Sequence, residues 1–214
     1  MVDFTGAVYI KLGKLRSSKI VKAYISIFVC MSVKAVHIEL VNDLSAEAFL
    51  GALRRFVARR GEVKNIYSDN ATNFTASNRI LQDLSEKERD EFEEKIANEL
   101  SHNGIMWHFS PPGAPHFNGL VEAGVNTVKT HMVKALGNNS LTFEEMTTLL
   151  AQVEAAINSR PLIALPSDPS DEICALTPAH FVFNASPSAL PDEDLMEIKT
   201  RYLTRWKVVQ KAVQ

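Results

Sequence analysis

Hydrophobic and polar positions alternate with the two-residue period of a strand through the first third of the chain. Val8, Ile10 and Leu12 share one face, and the apolar runs Ile20 to Ser32 and Ala35 to Val41 follow. Short links between these runs predict an antiparallel meander. Ser45 is placed to cap a helix whose apolar stripe runs through Phe49, Leu53 and Phe56 and stops at Gly61. Val63 to Ser68 then reads as a buried strand, and a crossover helix before it implies parallel pairing. Asn73 to Leu84 and Glu86 to Leu100 read as helical, Ile105 to Ser110 as a short strand, and the stretch Pro111 to Pro115, with three prolines, as a loop. A long helix is expected from about Asn118 to Leu136, and Thr142 opens another that runs to about Asn158. Beyond Arg160, prolines dominate an irregular tail that ends in a helical start near Lys199 to Gln214. Together these elements predict an α/β fold, a mixed sheet with helices on both faces.

Composition narrows the class. A chain of 214 residues, 46% of them hydrophobic, has enough apolar side chains for one substantial core. The apolar run Ala23 to Val33 is fenced by Lys22 and Lys34 and is too short to cross a bilayer, so no membrane partner is expected. Cys30 and Cys174 build neither a disulfide framework nor a thiolate metal site, and His37, His102, His108, His131 and His180 have no zinc-binding spacing. With no secretory pattern behind Met1, the expected location is intracellular, in cytoplasm and nucleus.

The net charge of −2 conceals a segregation along the chain. Residues 1–69 carry eleven Lys and Arg against six Asp and Glu, whereas residues 83–99 carry eight acidic against three basic residues. Outside that acidic stretch the chain is net basic, which permits a nucleic-acid partner. The stretch itself reads as a solvated helix.

Three carboxylates stand on elements whose ends can converge: Asp3 in the first strand, Asp69 at the end of the buried strand, and Glu122 in the first turns of the long helix. Gathered acids repel one another unless a cation compensates them, and hard oxygen donors select magnesium or manganese. Two such ions promote in-line displacement at phosphorus. No GxxxxGK[ST] loop is present to suggest a nucleotide kinase.

Their settings sharpen this reading. Asp3 stands in Val-Asp-Phe-Thr-Gly, Asp69 in Tyr-Ser-Asp-Asn-Ala-Thr-Asn-Phe, and Glu122 in Pro-His-Phe-Asn-Gly-Leu-Val-Glu. Asn158-Ser159-Arg160-Pro161-Leu162, Leu176-Thr177-Pro178-Ala179-His180-Phe181 and Arg205-Trp206-Lys207-Val208-Val209-Gln210 follow. This pattern resembles the catalytic core of retrotransposon integrases, most of all those of the BEL/Pao class.

The resemblance implies a ribonuclease-H-like, five-stranded mixed sheet with a helical insertion before the last strand and an irregular C-terminal tail. It also implies a D,D-35-E triad of Asp3, Asp69 and Glu122 holding two Mg2+ or Mn2+ ions. The activity would be DNA integration, comprising 3′-end processing of element DNA and strand transfer into target DNA. Lys129 and Asn126 lie seven and four residues after Glu122, on its face of the helix, where Lys129 matches a lysine that contacts element DNA. Thr72 matches a position that contacts target DNA. The partners implied are double-stranded DNA, both element ends and target, and further copies of the chain in a homo-oligomer.

The expected organisation is a core over 1–162 containing an acidic helical insertion at 83–102, a Pro-rich tail over 163–198, and the start of a truncated C-terminal module at 199–214. Between Asp69 and Glu122 lie 52 residues, more than the motif's name states. The integrase pattern includes a zinc-binding N-terminal module ahead of the first acid. Only Met1 and Val2 precede Asp3, so the expectation is a polyprotein fragment or a degraded copy. The competing reading is a decayed or host-adopted core that binds nucleic acid or protein without turnover.

Overall fold

The structure is a computed structural model that describes residues 1–15, 17–68, 94–100, 104–109, 119–136, 140–164, 175–183, 193–195, 197, 198 and 203–211. Strand β1 (Val2–Phe4) and strand β2 (Val8–Lys11) both pair antiparallel with β3 (Ile20–Val29). Phe4 stands opposite Ser26 and Val8 opposite Ala23, so the three residues Thr5 to Ala7 face the two residues Tyr24 and Ile25. The two segments are therefore one strand with a one-residue bulge, bridged by the bond from Thr5 N to Ile25 O at 2.8 Å. An extra residue reverses the alternation. Met1 and Asp3 before the bulge share a sheet face with Val8 and Ile10 after it.

Strand β4 (Val36–Val41) pairs antiparallel with β3 to complete the meander. On the other side of β1 stands β5 (Asn65–Ser68), parallel, and then β6 (Met106–Phe109), also parallel. With β1 and β2 taken as one strand, the mixed sheet has five strands, the number the resemblance implies, in the order β4, β3, β1, β5, β6.

Helix α1 (Ala46–Arg60) is capped by Ser45, whose side chain accepts from Ala48 N, and ends at Gly61 with φ of 90°, a left-handed conformation that suits glycine. It covers one face of the sheet, where Phe49 and Leu53 meet Phe4, Phe28 and Ile66. The rings of Phe28 and Phe56 stack there at 4.4 Å. Residues 94–100 form α2 and bury Ile96 and Leu100 on this same face, with Glu99 paired to Arg54 and Lys95 to Glu47. The rest of the expected acidic insertion, and the helical stretch expected from Asn73, lie outside the described residues.

The opposite face is covered by α3 (Gly119–Leu136) and α4 (Phe143–Asn158). Val125, Val128 and Met132 of α3, with Leu149, Leu150 and Val153 of α4, pack on Ile25, Ile27, Val29 and Ile38. A capping box starts α4: Glu145 N donates to Thr142 Oγ1 at 3.3 Å and Thr142 N to Glu145 Oε2 at 2.8 Å.

Edge strand β4 is closed by side chains of α4. Asn158 accepts from Val36 N at 2.8 Å and donates to Val36 O at 2.7 Å, while Glu154 accepts from Ile38 N at 2.8 Å. These bonds satisfy backbone groups that an open edge would present to another chain. Glu154 also pairs with Arg60 and lies 3.1 Å from His37, and Glu39 is held by His37 at 3.1 Å, Arg55 at 2.7 Å and Arg59 at 2.9 Å. Burial opposes a charge on His37, but its hydrogen bonds to Glu154 and Glu39 outweigh that and raise its pKa above the ordinary value.

The tail contains a two-stranded ladder, β7 (Ile163–Ala164) with β8 (Ala175–Leu176), followed by α5 (Pro178–Phe183). Farther on, α6 (Arg205–Lys211) seats Val209 fully buried in the core shared by α3 and α4. Arg205 grips Glu145 through Nε at 2.8 Å and Nη2 at 2.5 Å, and this bond holds the carboxyl down to a pKa of about 2. No helix among the described residues is long and apolar enough to cross a membrane.

Candidate active site

Asp3 sits between the buried residues Val2 and Phe4 and is itself partly buried. Its cross-strand partner is Ile27, whose side chain belongs to the core under α3, so Asp3 points to the α3 side of the sheet. One of its carboxylate oxygens, Oδ1, accepts from Phe4 N at 2.7 Å.

Helix α3 packs across β1 and β3, and its first turn carries Glu122. A carboxylate there is favoured by the helix dipole. The close seating of this turn depends on Gly124, because a Cβ at that position would stand 2.9 Å from Val29 Cγ2. Glu122, Asn126 and Lys129 are all exposed, while Val125, Val128 and Met132 are buried. Helical periodicity thus splits α3 into an apolar face on the sheet and a polar stripe in solvent. Among the described residues, the side chains of Glu122, Asn126 and Lys129 have no hydrogen-bond or ion-pair partner; Thr130 Oγ1 donates only to the backbone carbonyl of Asn126, at 2.8 Å.

Strand β5 ends at Ser68, which is in register with Val2, the neighbour of Asp3. Asp69 and Thr72 lie outside the described residues, as do the Pro111 to Pro115 loop and His116. The structure accordingly brings Asp3 and the α3 stripe to one side of the sheet and leaves the other two predicted residues undescribed. Among the described residues no group of three or more His, Cys, Asp and Glu side chains is placed to hold a metal ion. Asp3 and Glu122 supply the hard oxygen donors that suit magnesium or manganese.

Several motif residues prove to be structural. Asn158 closes the β4 edge, and Arg160 donates to Ile157 O at 2.8 Å and Lys34 O at 2.6 Å, tying the end of α4 to the β3–β4 turn. Leu162 N donates to Leu176 O at 2.7 Å, so the segments Asn158 to Leu162 and Leu176 to Phe181 are joined. Thr177 caps α5, where His180 Nδ1 accepts from Thr177 N at 3.0 Å and Pro178 fills the first helical position. Sequence reasoning did not find the network around Glu154. Its signal is a carboxylate inside the apolar stripe of Leu150, Val153 and Ile157.

No family model matches the sequence, and no curated protein matches it. Solved structures do match its fold. A chain of the simian T-cell lymphotropic virus intasome, determined in complex with the PP2A regulatory subunit B56 gamma, superposes with a TM-score of 0.53 at 16% identity over 89% of this chain. This chain spans 57% of the length of that one. The catalytic core domain of BIV integrase matches with a TM-score of 0.50 at 16% identity, over 85% of this chain and 93% of that core. The fold is that of the retroviral integrase catalytic core.

Proposed function

We propose that this chain is the catalytic core of an integrase of the BEL/Pao retrotransposon kind, a metal-dependent polynucleotidyl transferase acting on DNA. The observation that carries this reading is the placement of Asp3 on the sheet face that α3 covers, with Glu122 in the first turn of α3, in a fold shared with retroviral integrase cores. Asp3, Asp69 and Glu122 hold two Mg2+ or Mn2+ ions in this reading. Such ions, when bound, would supply charge neutralisation at the phosphodiester and activation of the attacking oxygen.

The protein's own residues do the positioning. Gly124 lets α3 approach the sheet closely and so sets how far Glu122 stands from Asp3. Lys129, two turns along the exposed stripe, neutralises a phosphate of the element end, and Asn126 lies between them as a hydrogen-bonding contact. Thr72 contacts the target strand. Water attacks in 3′-end processing and the freed 3′-hydroxyl attacks in strand transfer, so neither step requires an enzyme nucleophile. The chain works on double-stranded DNA as a homo-oligomer, with its core over 1–162, a tail over 163–198, and a segment 199–214 whose α6 packs back onto that core.

The test is manganese-dependent strand transfer of a pre-processed DNA end by the purified chain, with Glu122→Gln as the control. Product formed by the wild type and lost in the variant is the expected result. Undiminished product from Glu122→Gln would remove Glu122 from the site.

A further inference from the structure

Between Asp3 and Glu39 the sequence has six cations, Lys11, Lys14, Arg16, Lys19, Lys22 and Lys34, and no carboxylate. Of these, Lys11 falls in β2, Lys14 and Lys19 in the loop after it, and Lys22 at the start of β3. That loop is built by its own bonds, Leu12 N to Lys19 O at 3.0 Å and Ser18 N to Leu15 O at 3.1 Å. Lys14, Lys19 and Lys22 are exposed, as are Tyr9, Leu12 and Leu15 at 58%, 67% and 74%.

The arginines of α1 provide the contrast. Arg54, Arg55, Arg59 and Arg60 each pair with a carboxylate, whereas Lys11, Lys14, Lys19 and Lys22 have no ion-pair partner among the described residues. A cavity of about 680 Å³ at the foot of the hairpin is lined by Lys11, Lys14, Lys22 and Phe143, with Glu144 also present. Uncompensated positive charge held on an ordered hairpin is complementary to an extended polyanion.

The position of the hairpin relates it to the carboxylates. Gly124, early in α3, stands against Val29, whose N–H bonds Met1 O, and beyond the far end of α3 Leu141 O accepts from Lys11 N at 2.8 Å. Helix α3 therefore runs alongside the bulged strand from the Asp3 end to the hairpin. Eight residues at roughly 3.3 Å each put Lys11 about 25 Å from Asp3. This is the length of about seven base pairs of duplex.

We propose that the β2–β3 hairpin is a second DNA contact, separate from the carboxylate site, whose lysines grip the phosphate backbone about seven base pairs from the reacting phosphodiester. The choice of DNA as the polyanion rests on the integrase reading above.

The test is fluorescence anisotropy of a labelled duplex bound to the full chain over a series of KCl concentrations. The variant Lys14→Ala/Lys19→Ala/Lys22→Ala should reduce the slope of log affinity against log salt by about three, close to one per lost phosphate contact. Replacing the same three residues by arginine should keep the slope, and both variants should keep the wild-type melting temperature. An unchanged slope in the alanine variant overturns the proposal and leaves Leu12 and Leu15 as the surface of a protein contact instead. Preferential binding of phosphatidylserine vesicles over duplex overturns it too. Strand transfer measured in parallel separates the two readings: hairpin-dependent binding without transfer breaks the integrase assignment alone, and transfer with an unaltered slope breaks the hairpin assignment alone.

Discussion

The β4 edge and the outer stripe of α3 are both rich in polar residues, and the fold treats them in opposite ways. At the edge, His37, Glu39, Glu154 and Asn158 are buried and each is bonded to a neighbour. On α3, the side chains of Glu122, Asn126 and Lys129 stand in solvent with no partner among the described residues. Burying a polar side chain costs free energy that hydrogen bonds must compensate, and these four are compensated by bonds to their neighbours, so the edge residues are committed to the structure. The α3 residues contribute nothing comparable to packing and remain available to a ligand. Motif membership does not make this distinction: Asn158, Arg160 and His180 belong to phrases that mark the resemblance to integrases, yet their bonds close a sheet edge, a turn and a helix start.

The comparison can be broken by substitution. The largest effect on stability is expected at Glu154, since Glu154→Ala leaves Arg60 and His37 without their shared carboxylate and Ile38 N without an acceptor. Breaking a buried pair in this way costs about 3–5 kcal/mol, and urea unfolding should show a loss of that order. Asn158→Ala orphans Val36 N and O and should cost about 1–3 kcal/mol for each group. Strand transfer per folded molecule should survive both changes; if it falls as steeply as in Glu122→Gln, the edge is not merely structural.

Gly124→Ala tests the other region. The added methyl meets Val29 and should cost about 1–3 kcal/mol through overpacking. Because it lifts the turn that carries Glu122, strand transfer should fall further than the lost stability accounts for. Equal losses would mean that the seating of this turn does not position the carboxylate.

The smallest expected effect concerns α6. Glu145 has its folded pKa lowered from 4.5 to about 2 by Arg205, so it contributes stability that is present above pH 4.5 and is lost as the pH falls toward 2. Arg205 is more than a third exposed, and solvent screening limits this contribution to about 1 kcal/mol or less. Arg205→Ala should flatten the acid limb of a stability curve between those two pH values, and an unaltered limb would show that other carboxylates dominate it.

Local signals in the sequence were enough for most of the secondary structure. Ser45, Gly61 and Thr142 mark helix ends through bonds to residues three or four positions away, and the apolar run Ile20 to Ser32 marks β3 as a buried strand. The bulge at Thr5 to Ala7 was not legible, because three residues of β1 are too few to reveal a reversed alternation. Nor was the partnership of Glu154 with Arg60, which lie 94 positions apart.

What the sequence by itself determined is therefore the order of the described elements through α4, the caps at Ser45, Gly61 and Thr142, the α/β class, and the single helix face shared by Glu122, Asn126 and Lys129. These follow from interactions within a few residues. The β7–β8 ladder and α5 fall in a stretch expected to be irregular. Tertiary structure decided which sheet face receives Asp3, how near α3 lies to Val29, and which conspicuous polar residues are consumed by the β4 edge. Those outcomes depend on strand register and on pairings between distant segments, for which a residue's own neighbours in the chain carry no information.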